Sequence, residues 1–97
     1  MRIIAKKILR NFWKIHPDSE QQLTAWYQET SKARWTTPNE IKKEYPIASI
    51  ITGNRVVFNI KGNHYRLIVK ISYDYEMVWI RFIGTHAEYD KINAKTI

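Results

Sequence analysis

The strongest pattern in the chain is an alternation of apolar and polar residues between Arg55 and Tyr89. The apolar positions recur at every second residue and are mainly β-branched or aromatic, which is typical of β-strands. We therefore predict three successive strands followed by a short helical turn. The Gly62-Asn63 pair between the first two strands suits the positive φ angles of a tight hairpin loop.

This two-residue loop sets the register of the first hairpin. Because side chains alternate between the faces of a strand, the facing residues divide into two sets. One set is apolar, and the other contains the cations of both strands. The predicted pairs are Asn59–Arg66, Val57–Ile68 and Arg55–Lys70 on the basic face, and Phe58–Leu67 and Val56–Val69 on the apolar face.

The third strand is predicted to follow the same division. Val78, Ile80 and Phe82 share one parity, which places them in the core. Trp79 and Arg81 share the other parity and join the basic face. A two-residue turn at Asp74-Tyr75 predicts two further facing pairs, Lys70–Trp79 and Ile68–Arg81.

The basic face carries five cations and no acidic partner. A passive protein surface normally mixes both signs of charge, so this excess favours an interface for an anionic partner over a solvated sheet surface. The face is predicted to contain Arg55, Asn59, Lys61, Arg66, Lys70, Trp79 and Arg81.

Ahead of these strands, apolar residues recur at helical spacing. A short strand is expected at residues 2–4, a helix at Lys6–Ile15 and a second helix ending near Lys32. Pro17 separates the two helices, because proline cannot continue the first one. The predicted buried positions are Ile8, Leu9, Phe12, Trp13 and Ile15 in the first helix and Leu23, Trp26 and Tyr27 in the second.

A third, short helix is predicted from its first residues. Thr37 would be the cap, Pro38 the first helical residue, and Glu40 the second half of a capping box. A strand at residues 48–51 follows. A first strand, then helices, then a run of antiparallel strands indicates an α+β fold with the helices on one face of an antiparallel sheet. The length suits a single domain spanning residues 1–97.

Composition narrows the function classes. The chain has 16 basic and 9 acidic residues, a net charge of +7, which favours nucleic acid or an acidic protein surface as the partner. The chain has no cysteine, which excludes disulfides and thiolate metal sites. The three histidines lack the spacing of metal ligands, and no cofactor-binding motif is present. No apolar run is long enough to span a membrane, so we expect a cytoplasmic protein.

The end of the strand region carries a second capping-box pattern, from Thr85 to Glu88. His86 would be the first helical residue, and Tyr89 would lie on nearly the same face of that helix. Asp90, the next residue, could orient His86 or merely be exposed. These residues leave two interpretations open. His86 is either a functional imidazole or an ordinary surface residue of a capped helix.

Two segments, FNIKGNHYRLIVKI and WIRFIGTHAEYDKI, resemble the HigB family of toxins, a branch of the RelE-like superfamily. The resemblance extends to the opening segment RIIAKKILRNFWKIHPDSEQQLTAWY and so covers almost the whole chain. It implies a compact RelE-like fold and a cytoplasmic toxin encoded with a HigA-type antitoxin. It also implies cleavage of mRNA on the translating ribosome.

The resemblance also implies roles for individual residues. HYRL points to Arg66 as a phosphate-binding residue, and GTHAEYD points to His86 and Tyr89. RNA supplies its own nucleophile, the 2′-hydroxyl, so the reaction needs no metal but needs proton transfer and charge stabilisation. We expect Arg66 and Arg81 to clamp phosphate, His86 to act as acid or base, and Tyr89 to assist. The expected RNA contacts are Lys61, Lys70, Arg55, Asn59 and Trp79, with Trp79 either stacking a base or packing at the strand edge.

Two other functions use the same basic face. One is a non-catalytic module that binds RNA or the ribosome, and the other is a subunit that docks an acidic protein. Only the enzyme would yield specifically cut mRNA.

Overall fold

The computed structural model describes residues 1–97 and has the predicted α+β architecture. A 3-10 turn at Pro17–Ser19 joins the first two helices. The bounds are β1 Arg2–Ile4, α1 Lys6–Ile15, α2 Glu20–Lys32, α3 Pro38–Glu44, β2 Ser49–Ile51, β3 Arg55–Ile60, β4 Tyr65–Ser72, β5 Met77–Thr85 and α4 His86–Tyr89.

The five strands form one sheet in the order β1-β5-β4-β3-β2. Strands β2 to β5 are antiparallel neighbours, and β1 adds a parallel edge strand beside β5. All the predicted pairs of the first hairpin are confirmed. The positive φ angles fall on Lys61 and Gly62, at 55° and 63°, and not on Gly62 and Asn63 as the loop composition suggested.

The helices cover one side of the sheet, which we call the inner face. Phe58 lies at its centre and is 1% exposed. Its ring centroid is 5.4 Å from that of Trp26 in α2 and 5.1 Å from that of Tyr45 after α3. The predicted burial of Leu23, Trp26 and the inner-face strand residues is confirmed. This side of the sheet is therefore the hydrophobic core.

The buried stripe of α1 differs from the prediction. Leu9 is fully buried, and Phe12 and Trp13 pack partly against the core. Ile8 and Ile15 are 37% and 76% exposed, so their predicted burial is wrong. The helix turns its Leu9 side toward the sheet, and this orientation leaves Ile8 and Ile15 facing outward. None of the helices combines the length and the apolar character that crossing a membrane requires.

A β-bulge changes which side chains of β5 face the core. Lys70 faces Trp79 as predicted, but the register shifts between Ile68 and Val69, where Arg81 is the extra residue. An extra residue moves every later side chain to the opposite face. Ile68 therefore pairs with Phe82, so the predicted Ile68–Arg81 pair is wrong, and so is the core position of Phe82.

Helix α3 begins where the capping pattern placed it, but with different contacts. Thr37 makes no side-chain cap bond. The carboxylate of Glu40 instead accepts hydrogen bonds from the amide and the hydroxyl of Thr36, at 3.0 and 2.6 Å. These bonds lower the pKa of Glu40 below its usual value. Glu40 is therefore the predicted acceptor, but its donor is Thr36 and not Thr37.

The other side of the sheet, the outer face, has an apolar centre of its own. Val57 and Ile68 are only 3% and 0% exposed, although they lie outside the main core. The end of the chain, residues 93–97, crosses this face. The main-chain oxygen of Ile97 accepts hydrogen bonds from Nε and Nη2 of Arg55, at 2.9 and 2.8 Å. The chain end therefore covers part of the face that the sequence presented as open and basic.

Candidate active site

Helix α4 is fixed at the end of the sheet where the β3–β4 hairpin turns and β5 ends. Thr85 pairs with Tyr65 of β4, and the His86 amide donates to the main-chain oxygen of His64 at 3.1 Å. The predicted capping box is confirmed, because Thr85 and Glu88 each accept a hydrogen bond from the other's amide. The hydrogen bond from the Thr85 amide to the Glu88 carboxylate lowers the pKa of Glu88. His86 is thereby held at a defined place beside the hairpin loop.

The side chains on α4 form two contacts with chemical meaning. Nδ1 of His86 lies 3.2 Å from a carboxylate oxygen of Asp90, one helical turn later, and both side chains are more than half exposed. The guanidinium carbon of Arg66 lies 5.8 Å from the ring centroid of Tyr89, within the range of a cation–π interaction. The structure thus groups Arg66, His86 and Tyr89, the predicted catalytic residues other than Arg81. The sequence left open whether Asp90 orients His86 or is merely exposed, and the structure places its carboxylate within reach of Nδ1 of His86 at the i, i+4 spacing.

Arg66 reaches this edge from the outer face of β4. It sits opposite Gly84 in the sheet, and its Nη1 donates to the main-chain oxygen of Asn63 at 3.1 Å. A Cβ at Gly84 would lie 2.5 Å from Cζ of Phe82, so a larger residue there would have to displace the Phe82 ring. The ring of Phe82 therefore crosses β5 over the glycine, next to the strand position of Arg66. Sequence reasoning missed Phe82 because the bulge that turns it outward leaves no mark in the alternation.

Arg81 does not join this group. It lies at the bulge, before Phe82, and its Nε donates to the main-chain oxygen of Ile97 at 3.4 Å. Arg55, in β3 on the same face, donates to the same oxygen. The predicted pair of phosphate clamps, Arg66 and Arg81, is therefore separated, and only Arg66 lies beside α4.

The remaining predicted RNA contacts lie at two ends of the outer face. Asn59, half-buried, is opposite Arg66, and Lys61 is exposed in the hairpin loop. Lys70 and Trp79 are cross-strand partners toward the other end, where they line an open groove of about 610 Å³ with Arg81. The basic face therefore has one end that contains the acid–base candidates and another that contains a groove.

The chain was also compared with families of known proteins. Residues 19–92 match the model of a family described as HigB_toxin, the RelE-like toxic component of a toxin-antitoxin system. The chain belongs to the HigB toxin family. The match contains both α4 and the β3–β4 hairpin, the two segments that carry the candidate active site.

Relatives of this family resemble the chain from end to end. The mRNA interferase toxin HigB of Escherichia coli strain K12 is 26% identical over 96 residues, which cover 97% of this chain and 92% of the relative. The mRNA interferase HigB of Escherichia coli O6:H1 is 27% identical over 94 residues, covering 95% and 91% of the two chains. The family resemblance predicted from the sequence is confirmed, and the RelE-like family agrees with the α+β fold.

Proposed function

We propose that this HigB family toxin is an endoribonuclease that cleaves mRNA. The names of its relatives, mRNA interferase, support this activity. The observation that carries the proposal is the meeting of two contacts at one edge of the sheet. The His86–Asp90 pair supplies acid–base groups, and the guanidinium of Arg66 lies over the Tyr89 ring beside them.

The reaction requires two proton transfers and one site for negative charge. A base removes the proton of the 2′-hydroxyl, and the 2′-oxygen attacks the adjacent phosphorus. The bond from phosphorus to the 5′-oxygen breaks, and an acid protonates that oxygen. The products are a 2′,3′-cyclic phosphate and a free 5′-hydroxyl, so no water or metal enters this step.

His86 is suited to the proton transfers. An N–H on Nδ1 can donate to Asp90 across their 3.2 Å separation, which leaves the lone pair of Nε2 free for a substrate proton. Asp90 would fix this tautomer and orient the ring. The guanidinium of Arg66 is permanently charged and matches the negative oxygens of the phosphorane. Tyr89 holds the guanidinium from one side and offers a hydroxyl to the leaving group or to a neighbouring base.

The wider basic face would bind the RNA backbone. Lys61 and Asn59 lie at the reacting end, and Lys70, Trp79 and Arg81 lie at the other. We assign Arg81 and Arg55 to binding and not to catalysis, because both already donate to the main-chain oxygen of Ile97. Family membership implies an antitoxin partner. We further propose that the partner is a HigA-type antitoxin. The substrate would be a message bound to the ribosome, and the toxin would act in the cytoplasm.

The first test is single-turnover cleavage of a defined message at saturating toxin, with and without ribosomes. We expect cleavage on the ribosome, with a 2′,3′-cyclic phosphate on one product and a 5′-hydroxyl on the other. His86→Ala should lower the rate by about 10²- to 10⁴-fold while binding changes little. Tyr89→Phe, which removes one hydroxyl and keeps the ring, should have a smaller effect.

Each outcome has a distinct meaning. Binding without any cut product would favour the non-catalytic RNA-binding module. Weaker binding in His86→Ala, with a normal rate at saturation, would make His86 a phosphate contact. An unchanged rate and unchanged binding would return it to an ordinary residue of a capped helix.

A further inference from the structure

The groove at the far end of the outer face is a feature that the cleavage chemistry does not use. It has a volume of about 610 Å³. It lies where β4 and β5 pair through Lys70 and Trp79, and residues of the loop between those strands also line it. Its lining includes Asn54, Lys70, Tyr73, Tyr75, Trp79 and Arg81.

The groove combines exposed rings with cations. Tyr75 is 78% exposed, and Trp79 and Tyr73 are half-buried, so parts of three rings face the solvent. Lys70 and Arg81 are exposed and form no ion pair. Asp74 adds one carboxylate to the lining, so the balance is two positive charges to one negative. Rings for base stacking beside cations for the backbone are the composition that binds single-stranded nucleic acid.

The position of the groove relative to the candidate active site defines what it can do. Lys70 follows Arg66 by four residues on the same strand and shares its parity, so both side chains point to the outer face. At the usual rise of a strand their Cα atoms are roughly 13 Å apart. The groove is too distant to touch the reacting phosphate, but an RNA strand held at Arg66 reaches it within a few nucleotides.

We propose that this groove binds an unpaired base of the RNA a few nucleotides from the cleaved bond, with Trp79 and Tyr75 stacking on the base and Lys70 and Arg81 contacting adjacent phosphates. The proposal rests on the proposed function, because it assumes that RNA lies across the outer face. A base pocket beside the reaction site would contribute to the sequence preference of cleavage. Asn54, which also lines the groove, supplies a side-chain amide that can hydrogen-bond to a base edge.

Binding is tested first with RNA that cannot be cut. Two single-stranded 2′-O-methyl oligonucleotides are compared, one long enough to reach the groove from either side of the cleavage position and one truncated to the nucleotides at that position. Trp79→Ala should weaken binding of the long oligonucleotide by roughly 10- to 100-fold, because base stacking on one ring contributes about 1–3 kcal/mol. The truncated oligonucleotide should bind the variant and the parent equally. Trp79→Phe should recover most of the affinity.

Charge is tested with a matched pair of lysines. Lys70→Ala should reduce the slope of log affinity against log salt concentration by about one, the value expected for the loss of one phosphate contact. Lys43→Ala removes the same charge from exposed α3 and should leave binding unchanged. Because Trp79 is half-buried, thermal unfolding checks that its variant is folded, and Tyr75→Ala repeats the test at an exposed position.

The results separate this proposal from the proposed function. Equal losses for both oligonucleotides, or no loss for either, would overturn the base subsite even if the toxin cleaves mRNA. Loss of binding to an acidic antitoxin segment, with RNA binding intact, would make the groove a protein-docking surface and also overturn it. Groove-dependent binding of RNA by a protein that cuts no message would overturn the proposed function and keep the subsite.

Discussion

The inner and outer faces of the sheet come from the same strands but are closed in different ways. The inner face is lined by the residues of the main core, and the helices cover it. The outer face has a buried apolar centre at Val57 and Ile68, which residues 93–97 cross, and it carries charged and polar groups at both ends. Side chains on the inner face therefore determine stability, whereas those at the two ends of the outer face are free to serve binding and chemistry.

The largest effect on stability should come from the centre of the inner face. Phe58→Ala removes a ring that contacts three aromatic neighbours, so we expect the free energy of unfolding to fall by ~3–5 kcal/mol. Urea denaturation measures the change. A variant with nearly normal stability would show that the inner face is not the main core.

The centre of the outer face should be the next most sensitive position. Ile68→Ala should cost about 2–3 kcal/mol, in the lower part of the range for buried aliphatic residues, because only a short segment covers it. Its cross-strand partner Val57 offers a milder companion, Val57→Ala, with a smaller loss. If Ile68→Ala were as stable as the parent protein, the cover by residues 93–97 would not persist in solution.

A smaller effect is expected at the capping box of α4, and it depends on pH. The pKa of Glu88 lies below its usual value because the Thr85 amide donates a hydrogen bond to the carboxylate in the folded protein. The stabilisation is therefore complete above that value and is lost as the pH falls through the lower, folded-state pKa. Glu88→Gln should narrow the stability difference between pH 7 and pH 3. An identical acid profile in thermal unfolding would remove Glu88 from this role.

The smallest effect on stability, and the largest on function, is expected at Arg66. Arg66→Ala opens no cavity in the core, so its free energy of unfolding should change by less than about 1 kcal/mol. Growth inhibition on expression should nevertheless be abolished. Arg34→Ala, which removes the same charge from an exposed position between α2 and α3, is the control and should stay toxic. A folded and fully toxic Arg66→Ala would break the division between the two faces.

The sequence was sufficient for features that depend on local alternation and spacing. The register of β3 and β4 followed from the Gly62-Asn63 loop, and the helix at His86 followed from Thr85 and Glu88. Both signals lie within a few residues of the structure that they predict. The grouping of Arg66 with His86 was implied by resemblance to the HigB family, and the fold supplied the contact with Tyr89.

Three features were beyond the sequence for physical reasons. The bulge at Arg81 depends on how β5 packs between two neighbouring strands, and no turn residue marks it. The path of residues 93–97 depends on contacts with strands that are distant in sequence, because isolated apolar residues such as Ile97 carry no period. Both features separate Arg81 from Arg66. The bulge turns the Arg81 side chain, and Ile97 at the end of residues 93–97 accepts its hydrogen bond.

The parallel pairing of β1 with β5 has a consequence for the timing of synthesis. Residues 2–4 are synthesised before every other strand of the sheet, whereas their partners, residues 77–79, come after β2, β3 and β4. A contact between such distant segments closes a long loop and forms slowly compared with a hairpin. His86 and Tyr89 follow those partners in the chain. We therefore expect the β3–β4 hairpin of a nascent chain to form first, and the β1–β5 pair to form only when the segment that carries His86 and Tyr89 is being synthesised.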